Sequence, residues 1–316
     1  MGHGEEVIHR AGFAPAGRRW RYPLPLPGTL DWRSAEDAFV ADVPLPSLPP
    51  GHLVVPSLAA LGSLDHHTVL IDGEARTVTA GSGRPPEQHP HLPGGSVRVH
   101  VDYFETTAVL ADARVRFRVN AASAPADYLA VVCVRPREAN VQPPDHIETP
   151  VLEVPPRTQM AAPEPLRSRI CSPTCVSMAL DHLGVAHDFD ELLVAAHHRP
   201  TDLYGVWPQN VWAASRWAVL GATEATTDWG AARGMLDAGH PFVASIAFDA
   251  GGLDGAPLPS SRGHLVIVRG IQNNRVLVND PAAPTVTDVP RRYDLEEFQN
   301  AWLGGRGVFY AFAAPP

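Results

Sequence analysis

The stretch ICSPTCVSMALDHLG, residues 170–184, decides how this chain is read. Ser172-Pro173 is a helix-start signal, because a proline in the first turn gives up an N–H that no intrahelical acceptor would use. Val176, Ala179, Leu180 and Leu183 then recur at i, i+3, i+4 and i+7, one apolar face of a helix that Gly184 can end. Cys171 therefore falls at a helix N-terminus, where unpaired N–H groups and the macrodipole favour an anion. Thiolates are the reactive form of cysteine, and such positions favour them. With Cys175 four residues on, three readings are open: a metal pair, a disulfide, or one nucleophile with a neighbour.

Downstream, the texture is helices followed by strands. Phe189–His197, Val211–Val219 and 230–239 are helix candidates; 241–248, 263–271 and 275–280 are strands. LEEFQNAWL (295–303) is a last helix and GVFYAFA (307–313) a closing strand. This pattern predicts an α+β fold. Upstream, short strands alternate with Pro/Gly turns: LVVP (53–56), HTVLID (67–72), SVRVHVDYF (96–104), RVRFRV (114–119) and YLAVVCV (128–134), with a weak helix at Ser34–Val40. Alternation on strands of this length means one packed and one wet face, as in an antiparallel sandwich. The expected organisation is a β-sandwich-like accessory domain over 1–140, a proline-rich linker over 141–156 and an α+β domain over 157–316. The end of the linker, TPVLEVPP, reads as an extended strand opening the second domain.

The chain has 316 residues, enough for two cores, with 45% hydrophobic and 19% charged residues. A net charge of −9 without a basic run argues against a nucleic-acid partner, and no apolar stretch is long enough to span a bilayer. No secretory signal is readable at the N-terminus, so the expectation is cytoplasmic by default, with export open. Three cysteines are too few for a disulfide scaffold.

A thiolate nucleophile needs a base within reach and a group that orients the base. His264 opens an apolar strand directly after Gly263 and is a candidate base, although the chain holds 15 histidines. The orienting group should come from the next strand. A two-residue turn at Asn273-Asn274 puts Asn279 on the face of His264, whereas a three- or five-residue loop puts Asp280 there. The pattern leaves both open.

These boxes resemble the C39-like cysteine peptidases, a papain-like α+β family. The Cys box is 170–184, the His box GHLVIVRGI (263–271) and the Asp box VLVNDPA (276–282). AGHPFVASIAF (238–248), LDGAPLPSSRGH (253–264), VWPQN (206–210) and FQNAWL with GVFY (298–310) support it. The resemblance covers roughly 155–316. It implies Cys171 as nucleophile, His264 as general base and Asp280 as orienting carboxylate, and favours the longer hairpin loop. It also implies a glutamine whose amide joins the cysteine N–H in holding the oxyanion; Gln159, in PRTQM, is the candidate. Where the family commonly has glycine and a small hydroxyl residue, this chain has Ser172 and Cys175. Cys175 falls about 40° round the helix from Cys171, where a small buried side chain fits.

Metal and disulfide readings are discounted. Cys171 and Cys175, even with His182, His187, His197 and His198, match no familiar zinc spacing, and a disulfide within one helical turn is strained. His66-His67 and His89-Pro90-His91 read as solvated, and Cys133 as a core thiol. Trp207, Trp212 and Trp217 read as core or cleft wall. No cofactor is expected. The implied activity is hydrolysis of a peptide-like bond through a thioester, with an N-terminal domain that recruits substrate or partner. Acyl transfer to an amine and a non-catalytic binding role on the same scaffold are the alternatives.

Overall fold

The computed structural model describes residues 6–62, 65–71, 75–81, 95–139, 141–142 and 146–314; His89 and His91 lie outside them. The N-terminal strands are β1 (His9–Phe13), β2 (Arg33–Ala35), β3 (Ala38–Pro44), β4 (His52–Ala60) and β5 (Asp65–Ile71). They continue as β6 (Ala75–Gly81), β7 (Val97–Val99), β8 (Phe104–Thr106), β9 (Arg114–Asn120) and β10 (Tyr128–Pro136). They form two antiparallel sheets in the orders β1-β10-β4-β8-β7 and β2-β3-β9-β5-β6.

Strand β9 shows why. Val115, Phe117 and Val119 point inward and are fully buried, while Arg114, Arg116 and Arg118 point out and engage Asp42 and Asp37. Two expectations change here. Ser34–Val40 is no helix: Ala35 pairs with Ala38 across a two-residue turn, and Glu36 there takes φ 53°. Phe39, Ala41 and Val43 alternate at period 2 onto the inward face, opposite Val119, Phe117 and Val115, which outweighs helical propensity. SVRVHVDYF is also not one strand. A turn closed by His100 N–H to Tyr103 O (2.9 Å) folds it back, so that β7 pairs with β8.

The C-terminal elements are α1 (Cys171–His182), α2 (Phe189–Ala196), α3 (Trp207–Ala214), β11 (Gly221–Ala225), α4 (Gly230–Asp237) and β12 (Phe242–Phe248). After them come β13 (Ser261–Gln272), β14 (Arg275–Asn279), β15 (Pro290–Asp294), α5 (Leu295–Trp302) and β16 (Val308–Phe312). The six strands form one antiparallel sheet, ordered β11-β16-β12-β13-β14-β15. With its helices the chain is α+β. The edge strands β11 and β15 escape the sequence reading because GATEA and PRRYD carry little apolar alternation. Helix α3 starts at Trp207 rather than Val211, because Pro208 fits the first turn.

The two halves share one core. Along β10, Tyr128, Ala130, Val132 and Val134 pack between the two N-terminal sheets, whereas Leu129, Val131 and Cys133 join the core of the C-terminal half. Strand β4 divides in the same way, with Val54, Leu58 and Ala60 on one side and Leu53, Val55 and Ala59 on the other. A strand buried on both faces reads as a continuous apolar run rather than an alternation. Polar ties cross the same boundary. Glu224 of β11, 1% exposed, is held by Arg10 through two bonds of 2.7 Å and by the Tyr22 hydroxyl at 2.8 Å. Arg135 of β10 is fully buried and donates to the carbonyls of Thr226 (2.8 Å) and Leu303 (3.1 Å). Burial lowers its guanidinium pKa to about 10.

The proline-rich stretch is docked rather than free. Thr149 N–H donates to Ile271 O (2.9 Å) and Leu152 N–H to Arg269 O (2.7 Å), while Ile147 and Val154 are buried. Its TPVLEVPP end is extended but forms no ladder strand. Gly270 permits this approach, since a Cβ there would meet Pro150 O at 2.8 Å.

Candidate active site

Helix α1 begins at Cys171 with Ile170 as its N-cap, and no side chain caps it. Its first-turn N–H groups thus face the site without a capping oxygen. Thr174 bonds back to Ile170 O with both its N–H (3.1 Å) and its hydroxyl (2.7 Å), fixing that turn. Cys171 is partly exposed, whereas Cys133 and Cys175 are buried.

His264 sits in β13 and is 3% exposed; Asp280, 1% exposed, follows the end of β14. The Nε2 of His264 lies 2.8 Å from Asp280 Oδ1. The Asp280 carboxylate also accepts from Ala282 N–H (2.9 Å, Oδ1) and from the Tyr293 hydroxyl (2.7 Å, Oδ2). Burial works against the charged imidazole, but the Asp280 charge and hydrogen bond, joined by a hydrogen bond to Cys171, push His264 up to about 10. Burial would likewise raise Asp280; His264, Tyr293 and Ala282 overcome it and hold the carboxyl below its ordinary value. The phenol of Tyr293 is pushed up by burial and by the Asp280 charge, so it remains a donor. The arrangement is a buried imidazolium–carboxylate pair with a sulfur on its open side.

Register explains how Asp280 reaches His264. The turn at Asn273-Asn274 is the tight one: Gln272 pairs with Arg275, and both asparagines have positive φ (52° and 57°), the primed-turn geometry. The longer loop is therefore not present. Parity changes inside the ladder instead, where Val268 pairs with Val278 but Gly270 pairs with Leu277. This β-bulge at Arg269 moves every residue of β13 before it to the opposite phase, giving Asp280 the face of His264. Asn279 turns elsewhere and donates to Val154 O (2.9 Å).

Gln159 lies in a 3₁₀ turn, Gln159–Ala161, attached to the loop after Asp280: its N–H donates to Pro281 O (2.9 Å), and Thr158 Oγ1 donates to Ala283 O (2.6 Å). The Gln159 amide donates to Arg167 O (2.6 Å) and is 5% exposed. The structure thus brings Cys171, His264 and Asp280 together, with Gln159 on the neighbouring loop. Sequence reasoning missed Tyr293, because a tyrosine on a short strand reads as core. It also missed Tyr310 of β16, whose buried hydroxyl lies 3.0 Å from that of Ser172.

The N-terminal half closes one side of this region. Trp207 N–H, at the start of α3, donates to Asp102 (2.8 Å), and Tyr103 stacks on Trp207 with ring centroids 5.6 Å apart. Burial pushes the Asp102 carboxyl up to about 7, against the opposing effects of the Trp207 N–H and Arg306. Gln209 and Asn210 of the same box are buried and donate to Ala195 O (2.6 Å) and to Tyr204 O and Val206 O (both 2.8 Å). Gln209 thus ties α3 to α2, and Asn210 ties α3 to the loop that leads into it.

Among the described residues, no helix is long and apolar enough to cross a membrane. No curated protein matches the chain. A solved structure from Bacillus anthracis, described as C39-like peptidase, is similar at 15% identity and a TM-score of 0.41, over 53% of this chain and 98% of that one. Residues 151–308 match the model of the Peptidase_C39 like family, and the match spans Cys171, His264, Asp280 and Gln159. On that match, which takes in half of its length, the chain belongs to the Peptidase_C39 like family.

Proposed function

We propose that this chain is a cysteine peptidase that hydrolyses a peptide-like bond through Cys171, His264 and Asp280. The observation that carries the reading is the buried His264–Asp280 bond of 2.8 Å, which commits Nε2 and leaves Nδ1 for the Cys171 sulfur. In this mechanism the Cys171 thiolate attacks the carbonyl carbon. The oxyanion is held by the Cys171 N–H at the uncapped helix start and by the Gln159 amide. His264 gives its proton to the leaving amine as the C–N bond breaks, forming a thioester. It then takes a proton from water, whose oxygen attacks the thioester and frees the acid. Asp280 keeps the imidazole oriented throughout and balances its charge.

The substrate in this reading is a peptide or peptide-like molecule, and the N-terminal half serves as a wall of the enzyme body. The shared core and the buried Arg135 and Glu224 ties support that role over the tethered recruiter expected from the sequence. The test is a peptide library incubated with the parent and with Cys171→Ala, with products identified by mass spectrometry. Cleavage by the parent alone is expected, and a Cys171→Ala protein that cleaves at the parental rate refutes the assignment. Adding a competing amine separates hydrolysis from acyl transfer, because transfer leaves the amine on the product. Gln159→Ala should lower kcat by about 10²- to 10³-fold.

A further inference from the structure

Helix α1 is tied to the C-terminal sheet at two points beside Cys171. Cys175 is fully buried and donates its thiol hydrogen to Leu265 O at 3.2 Å, the carbonyl of the residue after His264. Ser172, also fully buried, shares its 3.0 Å hydrogen bond with Tyr310 on β16. One strand, β12, separates β13 from β16, so the two ties grip the helix from strands about 10 Å apart. At about 100° per residue, Cys175 stands about 40° and Ser172 about 100° round the axis from Cys171. Fixing those two directions fixes the third.

The polar atoms of both ties stand in apolar surroundings. Val243 and Ala244 of β12 pair with Tyr310 and Phe309 of β16, and all are buried. Burial raises the thiol of Cys175 and the phenol of Tyr310 well above their ordinary values, so both keep their protons. The charged or ionisable groups whose fields reach them are Cys171 and Asp280 at Cys175, and Asp102, Cys171 and Cys175 at Tyr310. A hydroxyl or thiol buried there without a partner would cost free energy, which makes the tied rotation of α1 the favoured one.

We propose that Cys175 and the Ser172–Tyr310 pair are positioning residues that set the rotation of α1 and thereby aim the Cys171 sulfur at His264. This rests on the reading of Cys171 as the nucleophile. Cys175 links the helix of the nucleophile to the strand of the base at the residue next to that base, so that the two move as one body. Its role goes beyond packing.

The test is the rate of Cys171 alkylation by iodoacetamide between pH 4 and 9, localised by mass spectrometry, in the full chain. The proteins are the parent, Cys175→Ala, Cys175→Ser and Tyr310→Phe, with Cys171→Ala as blank and urea-unfolded parent as the free-thiol reference. Cys175→Ala and Tyr310→Phe should each slow alkylation of the folded protein at pH 7 by about 10- to 100-fold and move its pH midpoint. Cys175→Ser should recover much of the rate, because a hydroxyl can still donate to Leu265 O. If Cys175→Ala does not fold, Tyr310→Phe, which removes one oxygen and no ring volume, decides. Variants that alkylate with the parental rate and pH midpoint overturn the positioning role alone. A folded parent no faster than its unfolded form rejects the nucleophile reading, and the positioning role with it.

Discussion

Replacing Asp280 with asparagine keeps the size of the side chain and an acceptor for His264, but removes the charge. In the parent, His264 titrates at about 10 in the folded protein, whereas an unfolded histidine titrates at about 6.5. Between those values the folded state holds a proton that the unfolded state has released. The contribution of this group is therefore complete below pH ~6.5 and is lost as pH rises, by about 1.4 kcal/mol per pH unit and on the order of 5 kcal/mol over the window. In the variant the same burial remains without its largest compensation, with only Cys171 still opposing it, and His264 is expected to fall below its ordinary value. The sign then reverses: the group contributes nothing between pH 6.5 and 10 and destabilises the fold as pH drops below 6.5. Urea unfolding followed by tryptophan fluorescence at half-unit steps from pH 5 to 10 measures both curves. Subtracting them removes the background from other titrating groups. A difference curve that is flat between pH 6.5 and 10 would refute the claim that Asp280 keeps His264 charged. Asp280 itself, held below its ordinary value, stabilises the parent above pH ~4, and this is lost as pH falls through its lowered pKa.

Tyr293→Phe removes one donor to a buried carboxylate and should cost about 1.5–3 kcal/mol in urea unfolding, with a smaller loss of kcat than Asp280→Asn gives. Deleting Arg269 takes out the extra residue itself, leaving Gly270 opposite Leu277 and Val268 opposite Val278 in a regular ladder, so Asp280 should keep the face of His264 and peptide cleavage should persist. A variant that retains the circular dichroism of the sheet but loses cleavage would show that the site depends on more than this count of residues. Glu224→Ala leaves the Arg10 guanidinium without its partner and should lower stability by about 3 kcal/mol. Because both halves share one core, its unfolding should stay a single transition by calorimetry; two separated transitions would contradict the shared core.

The sequence was most legible where pattern and chemistry coincide. The α1 face, the Cys171 helix start and the buried run of β10 can all be read from spacing alone. Asp280 was reached for a different reason from the one that operates. Resemblance pointed to it through a longer loop, while the chain uses the tight Asn273-Asn274 turn and a bulge. A bulge leaves no compositional mark beyond Gly270, and the segment that docks beside it, 149–152, is remote in the sequence. Tyr293 and Tyr310 were invisible for a related reason. Their hydroxyls matter only through partners that the fold supplies, and an aromatic on a strand reads as apolar bulk. The Ser34–Val40 misreading came from a window too short for helical and strand periods to separate.

The double-sided burial of β4 and β10 bears on how this molecule can be cut. A fragment trimmed to the 151–308 match would leave behind Leu53, Val55, Leu129 and Val131, along with Arg10 and Arg135, so the faces of β11 and α3 would open to water. Excision would thus create a sticky apolar surface around an unmatched Glu224 carboxylate, and the expected product is an aggregating protein rather than a smaller enzyme. The Asp102 cap on α3 would go with it. Limited proteolysis in the 137–156 stretch should accordingly give nicked material whose two pieces co-elute under native conditions, so the covalent join there is dispensable while the contact is not.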